Sequence, residues 1–166
     1  MKDMKLLWID LNCSFSHSSL ALPALHAQMK GNSQVEWTVV HSTNSEPTGI
    51  TVNAIYNHRP DVIAATAWLF THEQLMHIIK RVKALLPHAT VILGGPEFLG
   101  ENETFLRQNP EVNAVLRGEG EESFAEWLKI WNETEQWNTI PGLCHIADGR
   151  YHDGGIARVL HFDKLL

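Results

Sequence analysis

The 166-residue chain has the length and composition of a globular domain, since 44% of its residues are hydrophobic and 19% are charged. Its formal net charge is −6, from 19 Asp and Glu against 13 Lys and Arg. Phosphate backbones are bound by clustered cations, so we expect no nucleic-acid partner. No apolar run approaches the roughly 18 residues of a membrane span, and the first residues do not form a signal-peptide pattern. Two isolated cysteines without a disulfide framework favour the reducing cytoplasm.

Apolar runs alternate with helical patterns along the first 137 residues, which is typical of a parallel sheet with crossover helices. The predicted strands are residues 6–9, 35–40, 62–67, 90–93 and 114–116. The run 62–67 is apolar almost throughout, as expected of a central strand that is buried on both faces. Five strand–helix units of this kind predict an α/β fold, a doubly wound Rossmann or flavodoxin-like sheet of five parallel strands in the order 2-1-3-4-5.

Helical spacing of apolar residues separates the predicted strands. The clearest case is the stripe of Leu75, Ile79, Val82 and Leu86, which Pro87 ends. The other predicted helices carry their apolar positions at Leu22, Leu25 and Met29 (closed by Gly31), at Val52, Ile55 and Tyr56, at Phe105 and Leu106, and at Phe124, Trp127, Leu128 and Trp131.

The pattern changes after Trp137. Two strand-like runs, 140–146 and the residues from Tyr151 onward, flank the dipeptide Asp148-Gly149 and predict a β-hairpin. We therefore expect an α/β domain over residues 1–137 and a hairpin with a linker over residues 138–166.

Ligands of open α/β sheets bind at the carboxyl ends of the strands. In this chain those ends lead into segments 10–18, 66–71, 94–100 and 117–122, which are rich in Gly, Ser, Asn, Thr and acidic residues. The opposite ends are plain connections. A binding site is therefore predicted at the carboxyl edge.

Glycine loops follow two neighbouring predicted strands. Gly94-Gly95-Pro96 would let the backbone pass flat against a ligand, although a tight turn explains it equally well. Gly118-Glu119-Gly120-Glu121 repeats the theme, with a helix-capping turn as the alternative. Two such loops at adjacent strand ends favour a ligand site.

The charges of these loops favour a large, mostly neutral ligand. Polyphosphate sites carry Lys or Arg, whereas Arg117 is the one cation here, among Glu97, Glu119, Glu121 and Glu122. In the first loop, we favour a cofactor-lining role for Asn12 to Ser18 over a Cys13–His17 nucleophilic pair or a metal site, since no third group is placed beside that pair. Trp68 and Phe70 are interpreted either as core residues or as neighbours of a planar ligand.

These motifs, in this order, resemble the amino-terminal B12-binding domain of cobalamin-dependent radical SAM enzymes. The resemblance covers about residues 5–131, and residues 140–155 resemble the family's bridge towards its catalytic barrel. It is carried by the loop 12–17 and by residues 59–64, 66, 92–97 and 115–121.

The resemblance implies that the corrin ring of cobalamin lies over the strand ends and that its nucleotide tail descends into the domain. Thr66, Gly94 and Gly95 would line the tail's channel, while Gly118 to Gly120 and the loop 12–17 would lie along the corrin. The complete set of candidate cofactor-binding residues is Asn12, Ser14, Ser16, His17, Thr66, Trp68, Gly94, Gly95, Pro96, Glu97, Gly118, Glu119 and Gly120.

Two departures from the family matter. The corrinoid pattern Asp-x-His-x-x-Gly, begun at Asp10, requires histidine where the chain has Asn12, so a protein imidazole below the cobalt is not supported. No cysteine follows Cys144, although an iron–sulfur cluster needs three closely spaced ones. We therefore expect the [4Fe–4S] cluster and S-adenosylmethionine in a separate radical SAM catalytic domain, in cis or in trans. This chain would hold the corrinoid for methyl transfer or a related radical reaction, with no catalytic residue or protein metal ligand of its own.

Two other functions stay open. One is a flavodoxin-like domain for FMN or a small nucleotide, against which the acidic loops stand. The other is a degenerate α/β interaction module without a cofactor, in which changes at Gly95 or Gly118 would alter stability alone.

Overall fold

The computed structural model describes residues 4–13, 19–29 and 34–158. Five strands run parallel in the order β2-β1-β3-β4-β5, which confirms the predicted flavodoxin-like arrangement. Their bounds are β1 Met4–Asn12, β2 Val35–Thr43, β3 Val62–Thr66, β4 Thr90–Gly94 and β5 Ala114–Leu116.

The predicted hairpin is confirmed, but it extends the sheet itself. Strands β6 (Leu143–Ala147) and β7 (Arg150–Asp153) continue the sheet beyond β5 in antiparallel orientation, and the sheet of the described residues has seven strands. The five-strand prediction is therefore short by two. Asp148 and Gly149 join the two strands with φ angles of 49° and 73°, the left-handed pair that a tight two-residue hairpin turn requires.

Helices cover both faces of the sheet. Helices α1 (Ala21–Gln28) and α5 (Glu121–Trp127) pack on one face, and α2 (Thr48–His58), α3 (His72–Leu85) and α4 (Glu103–Gln108) pack on the other. None of these helices combines the length and hydropathy that crossing a bilayer requires.

Alternation along the buried strands assigns their side chains to the two cores. In β3, which is buried throughout, Ile63 and Ala65 pack towards α2 and α3, whereas Val62 and Ala64 pack towards α1 and α5. The predicted stripe of α3 is confirmed, since Leu75, Ile79 and Val82 are fully buried in the first core. Each such side chain contributes about 1.5–3 kcal/mol to folding.

Strands β1 and β2 extend further than the sequence predicts. The pairing of β1 with β3 ends at Ile9, but its pairing with β2 continues to Asn12. Buried Asp10, where the strand was predicted to end, lies opposite His41, and its carboxylate is 2.9 Å from Nδ1 of that residue. Pairing with β2 satisfies the backbone polar groups of β1, and the contact with His41 satisfies the Asp10 carboxylate. The two strands can therefore project beyond the carboxyl edge of β3.

Helix α5 is shorter than its apolar spacing predicts. It ends at Trp127, and the Ile130 N–H then donates to the Trp127 carbonyl oxygen at 2.9 Å in a tighter turn. Trp131 still packs against the core of this face. The predicted closing residue of α1, Gly31, lies outside the described residues.

Candidate functional site

A cavity opens at the carboxyl ends of β3, β4 and β5, between the sheet and helices α1 and α5. Its volume is about 280 Å³. We call six of its apolar lining residues the floor, namely Trp8, Leu25, Ala64, Ile92, Leu116 and Phe124, and Ala21, Ala65 and Leu93 also line the cavity. Its mouth is formed by Thr66, Gly94, Gly95, Gly118, Glu119, Gly120 and Glu121.

A wider and shallower depression adjoins the mouth. This surface, which we call the shelf, has a volume of about 520 Å³ and shares Gly95, Gly118 and Glu119 with the cavity. Its apolar members Leu99 and Ile156 are 59% and 58% exposed. The remaining members are Pro96, Ala157 and Arg158. The carboxyl edge thus presents a narrow deep site beside a broad exposed one.

The two glycines after β4 differ in what surrounds them. A Cβ placed on Gly94 would have, among the described residues, one neighbour within 4 Å, the Leu116 carbonyl oxygen at 3.6 Å. A Cβ on Gly95 would lie 2.7 Å from both the Ala67 carbonyl oxygen and Cγ2 of Thr66, and Gly95 has a φ of 110°. The fold would therefore accommodate a side chain at Gly94, whereas Gly95 must be a glycine because a Cβ there would clash with Thr66 and Ala67.

Gly118 is likewise required by a distant part of the chain. Its φ is 99°, and an added Cβ would lie 2.3 Å from the carbonyl oxygen of Ala157, which forms a parallel bridge with it. The Glu119 N–H donates to that same oxygen at 3.0 Å, and the Ala157 N–H donates to the Arg117 carbonyl oxygen at 2.8 Å. The segment around Ala157 thus fastens the loop after β5.

Aromatic side chains make the floor rigid. Trp8 is 3% exposed and stacks on Trp37, with ring centroids 6.0 Å apart and planes 14° apart. Phe124 meets Trp8 edge-on at 6.4 Å and Trp37 at 6.3 Å. Such pairs add about 0.5–1.5 kcal/mol each beyond their burial, so the shape of the floor is fixed before any ligand arrives.

The mouth of the cavity carries acidic side chains, the Arg117 guanidinium beside it is already engaged, and Arg158 lines the adjoining shelf. Arg117 donates from Nε to the Gly155 carbonyl oxygen at 2.6 Å and from Nη1 to the Gly100 carbonyl oxygen at 3.1 Å, and it pairs with Asp153. Glu121 lines the cavity, and its Oε2 is buried without a hydrogen-bond partner among the described residues. The mouth therefore offers acceptors to a ligand, and its nearby guanidinium is occupied.

The structure brings together six of the predicted site residues at the cavity and places a seventh on the shelf. Thr66, Gly94, Gly95, Gly118, Glu119 and Gly120 line the cavity, and Pro96 lines the shelf. Asn12, Trp68 and Glu97 are not among the lining residues of either. Asn12 ends β1, Trp68 stacks on Phe70 at 6.1 Å, and the Glu97 carboxylate is 4.0 Å from His72 Nδ1. Ser14, Ser16 and His17 lie outside the described residues.

Sequence reasoning missed the floor. Its members were assigned to strands and helices but not to a site, because apolar side chains in such elements read as core. Strand parity was the available signal: Ala64, Ile92 and Leu116 share one face of three adjacent strands, and the small side chain of Ala64 leaves room there.

A flavodoxin-like sheet with a ligand cavity at its carboxyl edge defines the class, an α/β ligand-binding domain. Among solved structures, the cobalamin-dependent S-adenosylmethionine radical enzyme OxsB, with aqua-cobalamin and S-adenosylmethionine bound, matches with a TM-score of 0.79. The match covers 98% of this chain and 24% of that chain at 11% sequence identity. At that identity the likeness establishes the fold.

The sequence establishes the family. Residues 11–128 match the model of the B12 binding domain, and the chain belongs to that family. The cobalamin-dependent radical SAM methyltransferase TokK of Streptomyces tokunonensis is 29% identical over 85 residues, which are 51% of this chain and 12% of that protein. An uncharacterized methyltransferase of Pyrococcus horikoshii, PH0819, is 29% identical over 91 residues, 55% of this chain and 20% of that one. The matched regions thus span a fifth or less of these relatives.

Proposed function

We propose that this B12-binding domain holds cobalamin with its nucleotide tail in the cavity and its corrin ring on the shelf, and so positions the cobalt for a radical SAM catalytic domain. The observation that carries the proposal is the pairing of a deep apolar cavity with a broad apolar shelf that shares its rim. Cobalamin has the matching shape, a wide macrocycle with a narrow aromatic appendage.

The sizes agree with this division of the ligand. The cavity, with a volume of about 280 Å³, is too small for a corrin and large enough for a bicyclic base. The shelf is open on one side and nearly twice as large. Gly94 lines the mouth of the cavity, and the cavity and the shelf share Gly95, Gly118 and Glu119.

The residues present fit the cofactor's chemistry. The amide side chains of a corrin donate hydrogen bonds, and the mouth presents the carboxylates of Glu119 and Glu121. The floor suits an apolar aromatic base, and Thr66 places a hydroxyl-bearing side chain where the two parts meet. When bound, cobalamin supplies a cobalt centre that can carry a methyl group. The task of these side chains is to hold and orient it.

A flavin or nucleotide phosphate fits this edge less well. In the cavity such a phosphate would meet the Glu119 and Glu121 carboxylates, and the Arg117 guanidinium nearby is committed to three acceptors. Arg158 lines the shelf and not the cavity. A phosphate site needs donors or positive charge at its centre. We therefore favour the corrinoid over FMN.

We propose that the iron–sulfur cluster and S-adenosylmethionine are bound by a catalytic domain joined to this one or associated with it, as the names of TokK and OxsB suggest. The sheet includes β6 and β7, so the α/β domain would extend past the boundary expected at residue 137, and the segment that follows β7 would lead towards the catalytic domain. The net charge of −6 disfavours nucleic acid as a further partner. The free cysteines Cys13 and Cys144 agree with a cytoplasmic location.

Reconstitution with hydroxocobalamin tests the proposal. The purified chain is incubated with the cofactor and passed through a gel-filtration column, and the corrinoid absorbance of the protein peak is measured. We expect the wild type to retain the red cofactor. A folded, colourless protein would refute the proposal.

The variant Gly94→Val tests whether the nucleotide tail of cobalamin lies in the cavity. Gly94 has no left-handed φ and lines the mouth of the cavity, and an added Cβ would meet the Leu116 carbonyl oxygen at an ordinary contact distance of 3.6 Å, so valine should fold in this strand and block the mouth. We expect its midpoint of thermal unfolding to match the wild type while cobalamin retention falls at least about tenfold, since the tail's apolar contacts are lost. Gly100→Val is the matched control, because Gly100 has no neighbour within 4 Å and lines neither cavity nor shelf. If Gly94→Val and Gly100→Val retained cobalamin equally well, the nucleotide tail would not lie in the cavity.

A further inference from the structure

The residues that follow β7 form part of the proposed cofactor site. We call residues 154–158 the strap, and three of the eight residues that line the shelf belong to it, namely Ile156, Ala157 and Arg158. We infer that bound cobalamin and the fastened strap stabilise each other, and that Arg117 is the positioning residue that fastens the strap. This inference rests on the proposed function, since it takes the corrin ring to lie on the shelf. Arg117 itself lines neither the shelf nor the cavity.

Main-chain hydrogen bonds hold the strap at both ends. At its start, the Gly142 N–H donates to the Gly154 carbonyl oxygen at 2.7 Å. Near its end, the Ala157 N–H donates to the Arg117 carbonyl oxygen at 2.8 Å, and the Ala157 carbonyl oxygen accepts from the Glu119 N–H at 3.0 Å. Glu119 lines both the cavity and the shelf. Opening of the strap would therefore also release the loop that the ligand contacts.

Two glycines make room for the strap. Gly118 and Gly142 have φ angles of 99° and 77°, and a Cβ on either residue would clash with Ala157. The Cβ added to Gly142 would lie 2.6 Å from the Ala157 Cβ and 2.6 Å from the Arg117 carbonyl oxygen. Left-handed backbone of this kind is readily adopted by glycine. Because Ala157 is 1% exposed between these residues, the fastened strap is packed as tightly as the interior of the domain.

The side chain of Arg117 fastens the middle of the strap. It is 12% exposed, its Nε donates to the Gly155 carbonyl oxygen at 2.6 Å, and its Nη2 pairs with the Asp153 carboxylate. Oδ1 of Asp153 also accepts from the Gly155 N–H at 2.8 Å. Nη1 of Arg117 donates to the Gly100 carbonyl oxygen at 3.1 Å, next to Leu99 of the shelf. Arg117 thus ties together the three segments that form the shelf.

Coupling between the ligand and the strap follows from this arrangement. A corrin on the shelf meets the strap residues only while the strap is fastened, so binding shifts the strap towards its fastened form. By reciprocity, fastening raises the affinity for the corrinoid by the same factor. Ile156 is 58% exposed in the ligand-free domain, and its cover by the corrin adds apolar contact to the bound state. We expect saturation with cobalamin to slow the opening of the strap at least about tenfold.

Amide hydrogen exchange of the wild-type chain tests the coupling, measured residue by residue by NMR with and without saturating hydroxocobalamin. The amides of Ala157 and Glu119 are hydrogen-bonded across the strap, so their exchange reports its opening. We expect both to slow at least about tenfold, while the Val112 amide, which donates to the Asn109 carbonyl oxygen away from the shelf, keeps its rate within about twofold. Unchanged exchange at Ala157 in a protein that retains the cofactor, or equal slowing at Val112, would overturn the inference and leave the proposed function intact. A folded protein that binds no cobalamin would sink the proposed function itself.

Matched carboxylate variants test the role of Arg117. Asp153→Ala removes its ionic partner, and Glu103→Ala removes the partner of Arg107; the two carboxylates are 45% and 43% exposed, and both changes alter the net charge equally. We expect Asp153→Ala to speed exchange at Ala157 and to raise the dissociation constant of hydroxocobalamin, each at least about threefold, whereas Glu103→Ala should change neither.

Rescue by a conservative variant separates positioning from general destabilisation. Asp153→Asn keeps an acceptor oxygen for Arg117 and for the Gly155 N–H, so it should restore most of the affinity that Asp153→Ala loses. The dissociation constants are measured from the absorbance change of the corrinoid, and thermal scans check that each variant is folded. If Asp153→Ala behaved like Glu103→Ala in exchange and in affinity, Arg117 would not position the shelf. The exchange experiment on the wild type decides the coupling even if a variant fails to fold.

Discussion

Gly95→Ala should destabilise the apo domain strongly, although it adds a single methyl group. Gly95 has φ 110° and ψ −178°, a region open essentially to glycine alone, and occupying it costs another residue about 1–3 kcal/mol. The new Cβ would also lie 2.7 Å from the Ala67 carbonyl oxygen. That backbone is held, because the Ala67 N–H donates to the Gly94 carbonyl oxygen at 2.7 Å. Overpacking adds about 1–3 kcal/mol, so we expect a loss of about 3 kcal/mol.

Urea denaturation without cobalamin measures the effect, and a thermal scan should show a midpoint lower by about 6–12 °C for a domain of this size. Gly100→Ala is the matched control: it has no neighbour within 4 Å and no left-handed φ, so its free energy of unfolding should stay within about 0.5 kcal/mol of the wild type. If Gly95→Ala behaved like Gly100→Ala, the reasoning from backbone conformation would be refuted.

Two further predictions concern groups outside the cavity. Burial, and secondarily the neighbouring His152, lowers the pKa of His145 from 6.5 to about 4. The folded state therefore keeps this imidazole, which is 2% exposed, neutral, whereas the unfolded chain takes up a proton on it below about pH 6.5. The free energy of unfolding, measured by urea denaturation, should therefore fall by roughly 2 kcal/mol from pH 7 to pH 5. His145→Phe should remove most of that pH dependence. If the variant lost as much stability between pH 7 and pH 5 as the wild type, His145 would not be its cause. Arg117→Lys should lower the free energy of unfolding by about 1–3 kcal/mol, because three different guanidinium nitrogens reach the three acceptors and a single ammonium nitrogen cannot match that spread. Arg107 forms an exposed pair with Glu103, so Arg107→Lys should lower the free energy of unfolding by less than about 0.5 kcal/mol in the same assay. Similar losses in both variants would show that the Arg117 contacts contribute no more than an exposed pair.

The parallel part of the fold could be predicted because its signals are local. Each crossover unit carries its own apolar strand and amphipathic helix, and five such units leave few arrangements. Strand β5, predicted at residues 114–116, has those bounds in the structure. The stripe of α3 was equally clear, because Leu75, Ile79 and Val82 share one helix face.

Features that depend on distant partners could not be predicted. The local pattern predicts a hairpin from residues 140–146 and the residues after Asp148-Gly149, but it does not predict that β6 pairs with β5 through Leu116 and Leu143. Strand β1 continues through Asp10 because β2 lies beside it and supplies His41. Helix α5 stops at Trp127 although apolar spacing continues to Trp131, since tighter turns can bury the same face.

The glycines of the mouth show how far a motif indicates function. Gly94-Gly95 and Gly118-Glu119-Gly120 were both interpreted as ligand-facing, but the left-handed conformations belong to Gly95 and Gly118, whose missing side chains make room for Ala67 and Ala157. Substitution there would weaken a cofactor-binding domain and a cofactor-free module alike, so stability changes at those positions cannot distinguish the two functions. Gly94 is different: it has ordinary backbone geometry, and the space before it is not used by the described parts of the chain. A glycine whose backbone conformation and surroundings do not require it indicates a ligand more strongly than a strained glycine does, and Gly94 is therefore the position at which folding and cobalamin binding can be separated.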